Sequence, residues 1–155
     1  MDFIILHLEY DTSPDDAVLG WADEVLKEHD TRRAIVVTHF MIGSGSPADF
    51  STQGQAIYDE LKDNSNLFLL LGGHVPFDGG EGRRMDSWEG RTVYSLLSDY
   101  QARTRGGDGW LRIMRFSPAL NEISVQTFSP FLEDGRGSFE TDESSQFVLS
   151  YEMSR

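Results

Sequence analysis

Two stretches decide the fold of this chain: Ile35-Val36-Val37-Thr38-His39 and Leu67-Phe68-Leu69-Leu70-Leu71-Gly72-Gly73-His74. Each is a short apolar run that ends in a histidine, which is typical of a strand buried on both faces in a partly parallel sheet. Between them lie a loop rich in Gly and Ser, over 43–47, and a weaker helical pattern at about Thr52–Lys62. The order strand, helix, strand predicts an α/β fold.

The residues on either side extend this pattern. Upstream, Phe3 to Tyr10 is predicted to be a strand, and residues 14–29 an amphipathic helix with Ser13 as its N-cap and Pro14 as its first residue. Downstream of a Gly-rich stretch, Gly72 to Gly82, we expect antiparallel strands joined by loops or turns. These strands are Thr92 to Leu97, Trp110 to Phe116, Glu122 to Phe128 and Phe147 to Tyr151, and Leu132 to Ser145 is predicted to be an acidic loop.

The length, composition and net charge of the chain limit the number of domains and the classes of function that it can have. The chain has 155 residues, and the pattern predicts one domain over 1–155, a mixed sheet with two helices in the first half and antiparallel strands in the second. A net charge of −13 argues against nucleic acid or an anionic membrane as partner. The chain has no Cys, which excludes disulfides and thiolate chemistry. We find no targeting signal and no apolar run that could span a bilayer, so the localisation stays open.

The histidines that end the two apolar runs are the first candidates for chemistry. In open α/β sheets, ligands gather beyond the carboxyl ends of the strands, where neighbouring side chains converge. Neutral imidazoles there are good ligands for Zn, Mn or Fe, so His39 and His74 could share one divalent ion. The alternative is that each histidine only satisfies a loop carbonyl.

The order of the motifs resembles the calcineurin-like metallophosphoesterases. In that family, a His ending an (I/V)-(V/L)-T-H strand and the first His of a later G-H-x-H segment bind one metal of a two-metal centre, which corresponds to His39 and His74. The resemblance covers nearly the whole chain and is greatest with secreted or bacterial members. It includes Phe3 to Tyr10, Trp21 to Leu26, Leu97 to Gln101, Gly109 to Arg112 and Thr127 to Pro130.

Two departures limit what the resemblance implies. The D-x-H, G-D-x-x-D and G-N-H-(D/E) motifs of the family's N-terminal half are absent from this chain, so only half a site is encoded. Where the family has G-H-x-H, the chain has Gly73-His74-Val75-Pro76, and Pro76 has no side-chain donor or lone pair. The resemblance therefore implies one metal site with His39 and His74, in a truncated version of the family's sandwich.

A catalytic site with one metal needs a further protein ligand and an open position for water. His7 and Glu9 share one face of the first predicted strand and are the best candidates, His7 as metal ligand and Glu9 as catalytic group. Asp78 is a second catalytic candidate, and Asp99 a weaker one. The alternative for His7 is a core histidine that is only hydrogen-bonded to the protein. The alternative for the carboxylates is that they lie in solvent without a role in chemistry.

Other residues offer a substrate contact or a different mechanism. Arg83 and Arg84, predicted to lie in a loop, could hold a phosphate, although such a pair is more often only solvated. Ser44 or Ser46 beside His39 could support a serine esterase, although the G-x-S-x-G register is absent. His29 is expected only to complement the dipole of the first helix.

The expected function is hydrolysis of small phosphoesters, as a phosphodiesterase or phosphatase, by a metal-activated water. The alternatives are a non-catalytic remnant of the family, which binds metal weakly or acts structurally, and a promiscuous esterase. A chain with half of the family's sandwich should expose an apolar sheet face or an unpaired edge, so we expect a homo-oligomer, a two-fold dimer in the simplest case. Light scattering that finds only monomer at micromolar concentration would contradict the dimer.

Overall fold

The computed structural model describes residues 1–153, and it has two β-sheets packed face to face with two helices on the outer side of the first sheet. The fold is therefore α/β with a mixed sheet, as the sequence predicts. Each strand of the predicted first half lies within two or three residues of its expected ends.

The first sheet contains five strands in the order β1-β2-β3-β5-β4. Their bounds are β1 Phe3–His7, β2 Arg33–Val37, β3 Leu67–Gly72, β4 Glu81–Trp88 and β5 Arg91–Ser98. β1, β2, β3 and β5 are parallel, and β4 runs antiparallel to β5. Consequently the carboxyl ends of four strands meet at one edge of the sheet.

Two helices cover one face of this sheet. α1 (Asp16–Glu28) buries Leu19, Ala22 and Leu26, and α2 (Thr52–Leu61) buries Ile57 and Leu61. These side chains pack with alternate residues of the strands in one continuous apolar core. Helical spacing of apolar residues thus produces the buried stripe that the sequence predicts.

The start of α1 differs from the prediction. Asp15, and not Ser13, is the N-cap, and its carboxylate accepts a hydrogen bond of 2.8 Å from the Ala17 amide. The Ser13 amide instead donates to the side chain of Asp11. A carboxylate is favoured over a hydroxyl here because it also meets the positive end of the helix dipole.

The second sheet is antiparallel and covers the other face of the first. Its strands are β6 (Leu111–Ser117), β7 (Glu122–Ser129), β8 (Ser138–Glu140) and β9 (Gln146–Ser150), and β7 pairs with all three others. Ile123, Val125 and Leu149 from this sheet pack on Phe68 and Leu69 of β3. Two single turns, α3 (Thr104–Gly107) and α4 (Leu132–Gly135), lie in the connections.

Three predictions about the second half are wrong. β4 occupies part of the segment expected to be a loop, so Arg83 and Arg84 lie on a strand. β5 is parallel to β3, and only β6 to β9 form the purely antiparallel part. The acidic segment from Leu132 to Ser145 contains α4 and β8. The sequence does not reveal β4, because its apolar residues do not alternate with polar ones. A strand at the edge of a sheet can form without this alternation.

β1 is the other edge of the first sheet. Its Ile5 side chain is 55% exposed, although Leu6 beside it is buried under the helices. β1 pairs only with β2, so its outer edge has no partner strand within the described residues. Such an edge with an exposed apolar residue is what the sequence analysis expects, and the dimer stays a prediction. None of the helices in residues 1–153 has the length and apolarity needed to cross a membrane.

Candidate functional site

His39 and His74 meet at the edge where the parallel strands end. His39 follows β2 and His74 follows β3, and these strands are neighbours in the sheet. The ladder continues past both strands, because the Thr38 amide donates to Leu71 O at 3.1 Å and the Gly73 amide to His39 O at 2.9 Å. The backbone therefore fixes the two histidines beside each other.

The two imidazole rings contact each other directly. Nε2 of His39 and Nδ1 of His74 are 2.7 Å apart, which is a hydrogen-bond distance in which one nitrogen donates and the other accepts. Both rings are accessible at this edge, so a solute or a partner could reach them. The sequence-based expectation that these residues converge agrees with this geometry, while their role as metal ligands remains a prediction.

Aromatic rings hold His74 from two sides. The Tyr10 ring stacks on His74 with a centroid distance of 5.5 Å, and the Phe40 ring lies 4.5 Å away. Tyr10 also meets His39 edge to face at 5.1 Å. The His74 backbone has φ 76°, a left-handed conformation that is unusual for a residue other than glycine. This conformation directs the imidazole toward His39 at an energetic cost that the ring contacts help to offset.

The start of α2 anchors the loop that follows His39. The Ser51 hydroxyl donates to Phe40 O at 2.6 Å and accepts from the Gly54 amide as the N-cap of α2. The side-chain Nε2 of Gln53 donates to Glu9 O at 2.6 Å, so the same turn also anchors the chain after β1. A single helix end thus positions both segments that carry Tyr10 and Phe40.

The expected further ligands do not join the pair. His7 and Glu9 are both exposed, and Glu9 contributes its backbone carbonyl to Gln53 and Thr38. In the part of the chain that is described, no three His, Asp or Glu side chains are grouped so that they could hold a metal ion. The structure therefore brings together two of the proposed metal ligands and leaves the others apart.

Asp78 and Asp99 have protein partners of their own. Asp78 Oδ2 accepts a hydrogen bond of 3.2 Å from the Ser44 hydroxyl. Asp99 accepts from the amide and the side chain of Gln101. Asp78 begins a 3-10 helix at Asp78–Gly80 and Asp99 follows β5, so both carboxylates are bound by neighbouring segments of the chain.

The two arginines differ in how many of their donors are in use. Arg84 binds Asp86 with two hydrogen bonds of 2.8 and 2.7 Å and donates a third to Ala48 O. Arg83 donates from Nε to the Ser46 hydroxyl at 3.0 Å. Within residues 1–153, Arg83 is the one of the two whose terminal nitrogens have no hydrogen-bond acceptor, so it alone stays a candidate for holding a phosphate.

Within residues 1–153, the hydroxyls of Ser44 and Ser46 have partners other than histidine. Ser44 bonds to Asp78 and Ser46 to Arg83, as described above. A serine nucleophile needs a hydrogen bond to a general base such as His. The geometry therefore gives the serine esterase no support.

A buried polar network surrounds Glu81, a residue that the sequence does not single out. Its carboxylate, at the start of β4, pairs with Arg112 at 2.6 Å and accepts from the hydroxyls of Tyr100, Thr127 and Ser145 at 2.7–2.8 Å. Burial raises the pKa of the Glu81 carboxyl, but Arg112 and the three hydroxyls lower it more, so this pKa lies below its ordinary value. The network links the two sheets beside the edge that carries the histidine pair.

Little in the sequence signals this network. Glu81 stands between two glycines in a stretch whose composition predicts a loop, and its partners lie 19 to 64 residues away. Only the apolar neighbourhood of Arg112 on a predicted strand hints at a buried charge that would need a partner.

Comparison with known proteins adds one similarity. No family model matches the chain, and no solved structure matches it significantly. The chain is 30% identical over 166 aligned residues to the Bacillus subtilis (strain 168) protein described as "Uncharacterized protein YvnB". The match includes 98% of this chain and 12% of that protein, so the chain spans about an eighth of the relative's length.

Proposed function

We propose that this chain carries a metal site for the hydrolysis of small phosphoesters, with His39 and His74 as metal ligands. The observation that carries the proposal is the meeting of their Nε2 and Nδ1 atoms at the carboxyl ends of two parallel strands. The two packed sheets, the outer helices and the motif order also support a calcineurin-like metallophosphoesterase sandwich.

The donor set fits a metal such as Zn, Mn or Fe in part. Two imidazole nitrogens are suitable ligands for each of these ions. Nitrogens that bind one tetrahedral ion at about 2.1 Å stand about 3.4 Å apart, so the rings must separate slightly from their 2.7 Å contact. The His74 side chain is exposed, which leaves room for this rotation.

A divalent ion at this place would lower the pKa of a bound water and offset negative charge on the phosphoryl oxygens. The protein's own contribution is to place the two rings beside each other: Tyr10 and Phe40 contact the His74 ring, and the continued ladder positions the backbone of His39. Hydrolysis adds water across the P–O bond, so the alcohol leaves with one proton and the phosphate keeps the new oxygen.

The second candidate function is a non-catalytic remnant of the same family. It is favoured by the absence, in the described residues, of a third His, Asp or Glu beside the pair. The hydrogen bond between the two rings also satisfies one nitrogen of each without any ion. Metal-dependent activity therefore separates the two candidates.

The test uses metal-stripped protein and bis(4-nitrophenyl) phosphate, before and after addition of Zn²⁺ or Mn²⁺. We expect activity to return with metal and to fall by more than about 100-fold in His39→Ala and in His74→Gly, because loss of a direct ligand exceeds the usual effect of an outer contact. His29→Ala is the matched control, since His29 is the C-cap of α1, and it should stay within about twofold of the unsubstituted chain.

Three results would decide against the hydrolase. Absence of activity with every metal tested favours the remnant, whether or not calorimetry detects Zn²⁺ binding. Activity that is independent of metal and survives both histidine substitutions removes the pair from the mechanism. Loss of activity in Ser44→Ala or Ser46→Ala alone would favour the esterase.

A further inference from the structure

A pocket of about 340 Å³, here called the β4 pocket, lies between the first sheet and β9. On one face of the paired strands β4 and β5, Arg83 lies opposite Leu96. Two residues further along β4, on the same face, Met85 lies opposite Tyr94. Leu149 of β9 lines the pocket from the second sheet. Because an apolar cavity of about 150 Å³ is already large enough for benzene, the β4 pocket has room for two fused aromatic rings.

Arg83 extends from β4 toward β9 at the wall of this pocket. Its guanidinium carbon lies 4.7 Å from the centre of the Phe147 ring, which belongs to β9. Its Nε donates to the hydroxyl of Ser46, which also lines the pocket, at 3.0 Å. A contact with each sheet's side of the gap therefore holds the guanidinium beside the pocket.

The two terminal nitrogens of Arg83 are open to water. Within residues 1–153, neither has a hydrogen-bond acceptor, because the Nε atom makes the bond to Ser46. The half-buried Arg83 contributes no atom to the fully covered polar atoms that lack a partner, so both Nη atoms have surface that solvent reaches. The two Nη groups of a guanidinium can hold a carboxylate by two parallel hydrogen bonds. Arg83 can therefore receive such an anion without breaking an existing bond.

The described lining of the β4 pocket carries positive charge and no negative charge. It includes Arg83 and Arg84 but no Asp or Glu, although the whole chain has 26 acidic and 13 basic residues. Arg84 is neutralised by Asp86, so Arg83 supplies the charge that is not balanced. The apolar part of the lining is Pro47, Met85, Tyr94, Leu96 and Leu149. One free positive charge beside an apolar surface is complementary to an apolar molecule with one negative charge.

We propose that the β4 pocket binds a small aromatic carboxylate of up to two fused rings. The carboxylate pairs with the Nη atoms of Arg83, and the rings lie on the apolar surface of Leu96 and Leu149. A single guanidinium balances the one charge of a carboxylate more completely than the higher charge of a phosphate monoester. Neither His39 nor His74 lines this pocket, so the proposal does not rest on the hydrolase.

The test is titration calorimetry with 2-naphthoate, 2-naphthamide and 2-naphthyl phosphate in 0.15 M salt, where the Debye length is about 8 Å and distant charges are screened. The amide has the shape of the carboxylate without its charge. We expect naphthoate to bind about tenfold more tightly than naphthamide, because hydrogen bonds between charged groups are the stronger ones. Naphthoate should also bind more tightly than naphthyl phosphate.

Arg83→Gln should remove the preference for naphthoate over naphthamide, because it removes the charge that the carboxylate meets. Arg115→Gln is the matched control, since Arg115 has the same charge, is exposed on β6 and does not line the pocket. It should keep the preference of the unsubstituted chain. Thermal unfolding establishes which variants are folded.

Met85 offers a second pair of variants that leaves Arg83 in place. The ion pair of Arg84 with Asp86 shows that a carboxylate two residues along β4 reaches an arginine. Met85→Asp should therefore place a competing carboxylate beside Arg83 and bind naphthoate about tenfold more weakly than Met85→Asn, which lacks the charge. Both variants should fold, because Met85 is 66% exposed.

Four results would overturn the proposal: no naphthoate binding at millimolar concentration, equal affinity for naphthoate and naphthamide, tighter binding of naphthyl phosphate, or a charge preference that persists in folded Arg83→Gln. If Arg83→Gln does not fold, equal naphthoate affinity in Met85→Asp and Met85→Asn overturns it. The measurements need no metal, and His39→Ala should bind naphthoate normally. Failure of this site and failure of the proposed hydrolase are therefore distinguishable.

Discussion

His74 combines a chemical group with a backbone conformation that its residue type disfavours. At φ 76°, a residue with a Cβ is strained, and glycine is not. The imidazole contacts with Tyr10, Phe40 and His39 are lost equally in His74→Gly and His74→Ala, so the backbone alone separates these two variants. Strain at this residue is therefore measurable apart from its chemistry.

We expect His74→Gly to be more stable than His74→Ala by about 1 kcal/mol in urea unfolding. The same pair of substitutions at His39, whose φ is not positive, should show the opposite order, because glycine there only adds freedom to the unfolded chain. Equal stabilities of His74→Gly and His74→Ala would mean that the backbone is not held in the left-handed region in solution.

At the scale of elements, the contact of α2 with the loop after β2 depends on a glycine. A Cβ on Gly54 would lie 1.9 Å from the carbonyl oxygen of Met41, so no side chain fits there. A Cβ on Gly20 in α1 would meet no atom within 4 Å, so Gly20 offers a helical site without this constraint. The two positions differ in surroundings and share a helical backbone.

Gly54→Ala is expected to destabilise the chain by more than about 3 kcal/mol, because backbone must move in a packed region. Gly20→Ala is expected to stabilise it by about 0.5–1 kcal/mol, as alanine does in helix interiors. Thermal or urea unfolding of both variants measures the difference. A neutral Gly54→Ala would contradict the close approach of α2 to Met41.

Elements are predictable from the sequence where a local pattern carries the information. Continuous apolar runs predict β2 and β3, and helical spacing predicts α1. The carboxyl ends of β2 and β3 then place His39 beside His74. β4 is not predictable in this way because Arg83 to Asp86 shows no apolar alternation, and its pairing with β5 supplies the structure instead. In the sheet, β3 is followed by β5 and not by β4, although β4 comes next in the sequence. No local sequence pattern encodes this order.

At the scale of the whole molecule, the network on Glu81 joins the two sheets through charges. Because the folded-state pKa of Glu81 is below its ordinary value, its contribution to stability is complete above about pH 4.3. As the pH falls below that value and through the lowered pKa, the carboxyl is protonated and this contribution is lost. The unfolded chain binds the proton first, which fixes the sign.

Glu81→Gln should reduce the free energy of unfolding at pH 7 by about 3–5 kcal/mol, because Arg112 keeps a buried charge without a carboxylate. The variant should also lose less stability than the unsubstituted chain between pH 7 and pH 3. Urea unfolding at both pH values measures each effect. Glu24→Gln, at an exposed position of α1, is the control and should change the free energy of unfolding at pH 7 by no more than about 0.5 kcal/mol.

The network also has a consequence for the order of events during synthesis. Glu81 leaves the ribosome 64 residues before Ser145, the last of its partners in the chain. At about 5–20 residues per second, that interval lasts roughly 3–13 s. Before Ser145 emerges, a chain that has passed residue 98 has all the strands of the first sheet but still lacks the Ser145 hydroxyl and the covering strand β9. In a nascent chain halted before residue 145, the Glu81 carboxylate, which is buried in the complete fold, therefore still lacks part of its cover and remains open to water.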